Sequence, residues 1–190
     1  MLILASSSPR RRQLLRMLGI RHRVDPPDVP EVRDLGEPAE RFAVRLAREK
    51  ALQVAARHPG KLVLGADTVV VLGHRLLGKP ASRAEATRML QELSGREHRV
   101  VTAVALAWDG EVWDRCDVTR VRFRPLTAEL IAAYVATGEP LDKAGAYGVQ
   151  GYGAALVERI EGDFFSVMGL SVRLVVELLE LAGVPYRFTR

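Results

Sequence analysis

The chain has 190 residues, a length typical of one domain, and we expect a single domain covering residues 1–190. Its one cysteine, Cys116, excludes an intrachain disulfide and fits a reducing compartment, and no apolar run reaches the ~20 residues of a membrane span. The net charge is +5, but no nucleic-acid-binding signature is present, so we expect a cytoplasmic protein without a membrane or nucleic-acid partner.

The pattern of apolar residues predicts a mixture of strands and helices in chain order. Strands are predicted over residues 2–5, 62–72, 75–77, 98–108, 111–124, 154–160 and 186–188. Helices are predicted over residues 9–18, 38–57, 82–93, 127–137 and 167–181, and loops over residues 25–36 and 143–153. Asp109-Gly110 predicts a two-residue hairpin. The order indicates an α/β or α+β architecture with a mixed sheet.

The first candidate segment is Ser6-Ser7-Ser8-Pro9-Arg10-Arg11, between a predicted strand and helix. Backbone N–H groups at a helix start, together with two guanidiniums, form a natural phosphate site. The alternative is an ordinary capped helix with a solvated basic first turn. Positive side chains are unfavourable beside the positive end of the helix dipole, so the clustered arginines favour an anion there.

Asp67, in Gly65-Ala66-Asp67-Thr68, is the second candidate because it interrupts an apolar strand. Burying a carboxylate without a partner is costly, and the usual explanation is a cleft, a metal or a catalytic role. The alternative is an aspartate whose oxygens bond to backbone groups at a strand end or bulge.

Three further segments carry weaker signals. Lysine is rare, with four among 28 basic residues, and ammonium and guanidinium groups are not interchangeable at a tight site. Lys50 lies on the predicted helix 38–57, where the alternative is a solvated helix face. Lys79 lies in Gly78-Lys79-Pro80, where the alternative is a plain surface turn. The glycine-rich segment 142–151 contains Lys143 and Gln150, whose amide suits the edge of a nucleobase; the alternative is a flexible connecting loop.

Several other reaction classes are disfavoured by what the sequence lacks. There is no G-x-x-x-x-G-K-[ST] phosphate loop and no G-x-S-x-G nucleophile elbow. The four histidines show no spacing typical of a zinc site.

Together the segments resemble the Maf family, which is associated with septum formation and includes nucleotide pyrophosphatases. The matching motifs, in order, are L-A-S-x-S-P-R-R, R-L-A-x-x-K-A, G-A-D-T, x-K-P, D-K-A-G-A-Y-G-x-Q-G and a final V-x-G-L, from residue 3 to about residue 180. The resemblance implies a two-lobed α/β fold around an extended mixed sheet, with the nucleotide in a central cleft. That fold is similar to the fold of the inosine triphosphate pyrophosphatases.

The resemblance also implies roles for individual residues. Asp67 would accept a proton and would share a divalent cation, Mg²⁺ or Mn²⁺, with Glu31, for which Asp28 and Asp34 are rivals in the same loop. The remaining residues would bind a nucleoside triphosphate. Arg10, Thr68 and Gln150 would contact the base. The triphosphate would be bound by Arg11, Lys50, Lys79 and Lys143, and Ser8 is a further substrate-binding residue.

Two positions indicate the subfamily. Family members that act on dTTP and UTP resemble this chain in having Thr after the aspartate and Gln in Y-G-x-Q-G, as Thr68 and Gln150 are here. A sister group acting on 7-methyl-GTP usually has Gln and Glu instead. That activity, and a nucleotide-binding regulator of septum formation with incidental hydrolysis, are the alternatives, and the resemblance leads us to expect a homodimer.

Overall fold

A computed structural model describes residues 1–188 of the chain. Within that range it has seven strands: β1 Leu2–Ala5, β2 His22–Val24, β3 Val63–Leu72, β4 Arg75–Leu77, β5 Glu97–Trp108, β6 Glu111–Phe123 and β7 Val157–Glu161. The α-helices in the same range are α1 Pro9–Met17, α2 Ala39–Ala55, α3 Arg83–Leu93, α4 Ala128–Ala136, α5 Phe164–Met168 and α6 Val172–Leu181. None of the helices there is long and apolar enough to cross a bilayer.

The strands form one mixed sheet in the order β2-β1-β3-β5-β6-β7, with β4 paired to β3. β1 lies parallel to both β2 and β3, whereas the β3–β4 and β6–β7 pairs are antiparallel. β1 is buried along its whole length, as expected for a strand between two parallel neighbours. The predicted mixed α/β architecture is therefore confirmed.

The chain divides into two compact units. Among the described residues, unit 1 comprises 1–68, 102–117 and 169–188, and unit 2 comprises 69–101 and 118–168. Unit 2 has a core of aliphatic and aromatic side chains from β3 to β6, α3 and α4, in which the rings of Phe123 and Tyr147 meet edge to face. Unit 1 buries β1 together with the apolar sides of α1, α2 and α6.

Helix α2 approaches β3 closely because β3 has a glycine at the contact. A Cβ atom on Gly65 would lie 2.3 Å from the carbonyl oxygen of Ala47 and 2.7 Å from the amide nitrogen of Ala51. These distances are shorter than any van der Waals contact, so only glycine permits this spacing. The close approach brings Lys50, on α2, beside Asp67, two residues after Gly65.

Most predicted elements are confirmed, and the two-residue turn has the expected backbone. Asp109 and Gly110 both have positive φ, 52° and 88°, as a type I′ hairpin turn requires. The short strand β2 was not predicted from the sequence.

Two predictions near the C-terminus are wrong. Residues 186–188 form no strand; instead, the Tyr186 hydroxyl donates to the Leu18 carbonyl at 2.7 Å. The helix predicted over residues 167–181 is split into α5 and α6, because Gly169 has a φ of 114°, which helical residues do not adopt. Ser171 then caps α6 by accepting from the Leu174 amide.

Candidate functional site

A buried carboxylate paired with a buried lysine forms the centre of the candidate site in unit 1. Asp67 and Lys50 are 5% and 7% exposed, and the Lys50 Nζ donates to Asp67 Oδ1 at 2.6 Å. The same Nζ donates to Glu31 Oε1, also at 2.6 Å. Of the three loop carboxylates that the sequence left open, Glu31 is therefore the one that contacts Lys50.

The electrostatic environment of Asp67 has two opposing parts. Burial raises the pKa of Asp67, while the charges of Lys50 and Arg11 lower it, and burial has the larger effect. The pKa of the Asp67 carboxyl group is therefore higher than that of an exposed aspartate, although two cations face it. An acid with a pKa moved toward the working pH is suited to exchange protons.

Three groups hold the Arg11 side chain, and two of them are distant from it in sequence. Its Nε donates to the Gly169 carbonyl at 2.8 Å, its Nη1 to Ser6 Oγ at 3.2 Å, and its Nη2 to Thr68 Oγ1 at 3.4 Å. Desolvation lowers the pKa of Arg11, and the nearby Asp67 carboxylate opposes that effect. A guanidinium fixed at all three nitrogens has little rotational freedom left to lose on binding an anion.

The start of α1 and the end of the G-A-D-T segment are each fixed by hydroxyl groups. Ser8 is the N-cap of α1, and its side chain accepts from the Arg11 amide, so one predicted substrate-binding residue serves as a cap here. The Thr68 hydroxyl lies 2.9 Å from the hydroxyl of Thr102 on β5, which is fully buried. The predicted base-contacting Arg10 lies beside Arg11 and is half-buried.

The remaining predicted residues belong to unit 2. The Lys143 Nζ donates to the Glu139 carbonyl and to Asp142 Oδ1, both at 2.6 Å. The Gly145 amide donates to the Gly78 carbonyl at 3.0 Å, so the turn that carries Lys79 adjoins the glycine-rich segment. Lys79 is exposed and Gln150 is half-buried.

Glu139 organises the glycine-rich segment, although no sequence pattern points to it. Its carboxylate accepts from the Tyr134 hydroxyl at 3.0 Å and from the amides of Tyr152 and Gly153 at 2.9 and 3.0 Å. Gly153 has to be glycine because a Cβ there would lie 2.2 Å from the Gly148 carbonyl. Glu139 and Thr102 thus lie outside every segment that the sequence singled out, whereas Ser6 and Gly169 lie within quoted motifs but had no individual role predicted.

The oxygen donors in unit 1 are of the kind that hard divalent cations prefer. Asp67 and Glu31 supply carboxylate oxygens, and both reach the same ammonium group. Within residues 1–188, no group of three or more His, Cys, Asp or Glu side chains is arranged to hold a metal ion. Mg²⁺ is commonly bound by one or two carboxylates with substrate phosphates completing its coordination, so two carboxylates are sufficient on the protein side.

Comparison with known proteins gives the family. The family model described as Maf-like protein matches residues 1–182. The chain belongs to the Maf family. Two similar relatives are proteins named dTTP/UTP pyrophosphatase: that of Myxococcus xanthus is 53% identical and that of Symbiobacterium thermophilum 51% identical, covering 97% of this chain and 94% and 95% of theirs. A relative of the same name from Aquifex aeolicus is 48% identical over 95% of this chain and 97% of its own length.

Among solved structures, the Ham1 protein of Staphylococcus aureus matches this Maf-family chain with a TM-score of 0.45 and 14% identity. The match covers 82% of this chain and 79% of that one.

Proposed function

We propose that this chain hydrolyses dTTP and UTP to the nucleoside monophosphate and pyrophosphate. Support comes from its membership of the Maf family and from full-length relatives, close to 50% identical, that are named dTTP/UTP pyrophosphatase. The observation that carries the chemistry is the buried Asp67 carboxylate, which is bonded to Lys50 and whose pKa is raised by burial although the charges of Lys50 and Arg11 oppose that rise.

In the proposed reaction, a water oxygen attacks the α-phosphorus, and the bond from that phosphorus to the oxygen bridging to the β-phosphorus breaks. Asp67 accepts the proton that the water loses. A carboxylate has two oxygens, so Asp67 can keep its bond to Lys50 through Oδ1 and use Oδ2 as the base. The raised pKa of Asp67 makes this proton transfer more favourable than it would be for an exposed aspartate.

The departing pyrophosphate gains negative charge, which has to be neutralised. Arg11 is fixed by Gly169, Ser6 and Thr68, so its guanidinium is oriented before the substrate arrives. Preorganised cations of this kind stabilise a transition state without reorganising during the reaction. The family resemblance implies that Lys79 and Lys143 also neutralise the charge of the departing pyrophosphate. Ser8 and Lys50 are the other substrate-binding residues that we propose.

We also propose that Asp67 and Glu31 hold a divalent cation, Mg²⁺ or Mn²⁺, when substrate is bound. Such an ion would polarise the phosphate oxygens. Lys50 already contacts both carboxylates, so its ammonium would have to move aside or share them with the ion. Lys50 would then hold the two carboxylates in place in the absence of the ion.

Preference for a pyrimidine is proposed to depend on Thr68, Gln150 and Arg10. The Gln150 amide offers both a donor and an acceptor, which match the O4/N3 edge of uracil and thymine. Cytosine reverses that donor–acceptor pattern, so a fixed amide would discriminate against it. Equal hydrolysis of CTP and UTP would contradict this base assignment without touching the reaction itself.

Pyrophosphate release measured across canonical nucleotides and 7-methyl-GTP, with Mg²⁺ and with Mn²⁺, tests the function. We expect dTTP and UTP to be the best substrates, and the Asp67→Asn variant to lose about 10² or more in kcat, the scale of a general base. Preferred hydrolysis of 7-methyl-GTP would place the chain with the sister subfamily. Turnover close to that of the unaltered protein by a folded Asp67→Asn variant would remove Asp67 from the mechanism.

A homodimer and a part in septum formation rest on the family resemblance, and we propose them on that ground. We propose a cytoplasmic location because the single cysteine, Cys116, fits a reducing compartment. Sedimentation at several protein concentrations tests the dimer, because a dimer dissociates on dilution and a monomer does not change. Division of cells that express the inactive Asp67→Asn variant separates a regulatory role from hydrolysis.

A further inference from the structure

Helix α1 and strand β2 border an open pocket of about 420 Å³ that is lined by cationic side chains. Arg12 and Arg16 lie on α1. Arg21 directly precedes β2, His22 is its first residue, and Val24 contributes apolar lining. No acidic side chain lines the pocket. A concave surface with three guanidiniums and no carboxylate is complementary to an anion.

Helix and strand geometry together bring these side chains to one place. Arg12 and Arg16 are four residues apart on α1 and therefore lie on the same side of the helix, one turn apart. His22 and Val24 alternate with Arg23 along β2, so they lie on the same face of the strand. β2 is the edge strand of the sheet, which leaves this corner of unit 1 open.

The positive charges in this pocket are not balanced by the protein. Among residues 1–188, neither Arg12, Arg16 nor Arg21 forms an ion pair. The Nε of Arg12 is buried, and in the described part of the chain it has no hydrogen-bond partner. The neighbouring carboxylate of Asp25 is bonded instead to Arg57 at 2.8 Å and to His58 at 2.7 Å.

Local stability explains only part of the cluster. Arg16 lies in the last turn of α1, where a cation interacts favourably with the helix dipole. Arg12 lies earlier in the helix and Arg21 outside it, so neither gains in this way. A buried guanidinium N–H without an acceptor is unfavourable, so the hydrogen bonds of the described residues give no structural reason for an arginine at position 12.

The pocket is separate from the Asp67 site. Successive residues of an α-helix are about 100° apart, so Arg10 and Arg12 project from α1 about 200° apart, on opposite flanks. Arg11, between them, points into unit 1 and bonds to Gly169 and Thr68. Arg12 and Arg16 therefore face away from the flank that carries Arg10.

We propose that this pocket, defined by Arg12, Arg16, Arg21 and His22, is a second anion site that binds an oligophosphate. Three guanidiniums can neutralise several negative charges, and a pocket of about 420 Å³ has room for more than a single phosphate group. The ligand class is a short chain of phosphates, either free or as part of a nucleotide. The site takes no part in the hydrolysis proposed for Asp67.

Calorimetric titration with tripolyphosphate at 0.15 M salt tests the proposal, because screening at that ionic strength suppresses non-specific attraction. Three proteins are compared: the unaltered chain, Arg16→Gln/Arg21→Gln, and Arg83→Gln/Arg88→Gln. The last pair removes the same charge from exposed positions of α3. We expect the first double variant to bind one tripolyphosphate fewer per chain, with its pocket affinity lowered about 100-fold through loss of two charge-assisted contacts.

The control double variant is expected to keep the number of sites found in the unaltered protein. Hydrolysis of dTTP should be unchanged in both double variants, since none of these arginines belongs to the Asp67 site. An equal number of sites in all three proteins would overturn the proposal. So would an equal loss of affinity in the two double variants, which would indicate a general charge effect. Repeating the titration with dTTP and with inorganic phosphate separates a nucleotide-bound phosphate chain from a free one. Preferential binding of DNA over tripolyphosphate by the same arginines would also overturn the proposal.

Discussion

Two lysines, Lys50 in unit 1 and Lys143 in unit 2, are held in contrasting ways. Lys50 bonds to Asp67 and Glu31, which lie 17 and 19 residues away in sequence, and its side chain is 8% exposed. Lys143 bonds to the adjacent Asp142 and to the Glu139 carbonyl four residues earlier, and its side chain is 12% exposed. The two ammonium groups are similarly covered, but one is fixed by tertiary structure and the other by a local turn.

The difference in partners predicts a difference in what each lysine contributes. Asp67 is almost completely buried, so its negative charge has little solvent to stabilise it without Lys50. The Asp142 side chain is 65% exposed and remains solvated with or without Lys143. Lys50 should therefore matter for folding and for the pKa of Asp67, and Lys143 chiefly for binding.

Lys50→Met gives the largest expected effect. It leaves the Asp67 carboxylate buried without its partner, and we expect the free energy of unfolding to fall by about 3–5 kcal/mol at neutral pH. Lys50 lowers the pKa of Asp67, so the variant's carboxyl should titrate at higher pH than in the unaltered protein. Denaturant unfolding measures the stability, and the acid limb of kcat/KM measures the pKa shift.

The pH dependence of Lys50→Met stability checks the interpretation. With a pKa raised in the folded state, Asp67 keeps a proton that the unfolded chain releases, so raising the pH through that window reduces stability. The variant should thus lose less stability in mild acid than at neutral pH. A loss that is the same at both pH values would indicate poor packing of methionine rather than an unpaired carboxylate.

Gly65→Ala is expected to weaken unit 1 by about 3 kcal/mol, since the added Cβ would overlap the backbone of α2. The clash pushes α2 from β3 and lengthens the contact between Lys50 and Asp67, so hydrolysis should fall as well. Gly78→Ala is the matched control, because a Cβ there meets nothing within 4 Å and the backbone needs no positive φ. Equal melting temperatures for the two variants would contradict the role given to Gly65.

Lowering the pH should destabilise unit 2, which is the opposite of the effect expected around Asp67 in the Lys50→Met variant. Burial lowers the pKa of His98 to about 4, and its Nε2 lies 2.8 Å from the hydroxyl of Tyr147 in the glycine-rich segment. The unfolded chain takes up this proton near pH 6.5 and the folded chain only near 4, so stability is lost as the pH falls through that window, by about 3 kcal/mol. Unfolding of His98→Gln, which cannot titrate, should show a weaker dependence over the same pH range.

Lys143→Met gives the smallest expected change in stability, below about 1 kcal/mol, because Asp142 stays solvated. If Lys143 binds the triphosphate, KM for dTTP should rise about tenfold with little change in melting temperature. A stability loss as large as that of Lys50→Met would remove the contrast between the two lysines.

Residue type drew attention to Asp67 strongly and to Lys50 weakly, and the role predicted for Lys50 came from the family resemblance. A carboxylate in an apolar strand and a lysine in an arginine-rich chain are visible without coordinates. Gly169 and Thr102 gave no such signal, since Arg11 and Gly169 are 158 residues apart and only the folded chain brings the carbonyl to the guanidinium. The apolar spacing of residues 167–181 continues through Gly169, so the break between α5 and α6 depends on a backbone angle that periodicity does not report.

The scarcity of lysine makes each one an identifiable reporter for amine chemistry. Lys61 and Lys79 are exposed, whereas Lys50 is enclosed by two carboxylates. Acylating reagents need an accessible, deprotonated amine, so they should modify Lys61 and Lys79 long before Lys50. Mass spectrometry of briefly acylated protein would then follow opening of the region around Asp67 peptide by peptide, with late labelling of Lys50 as the measure of how rarely that region exposes its interior.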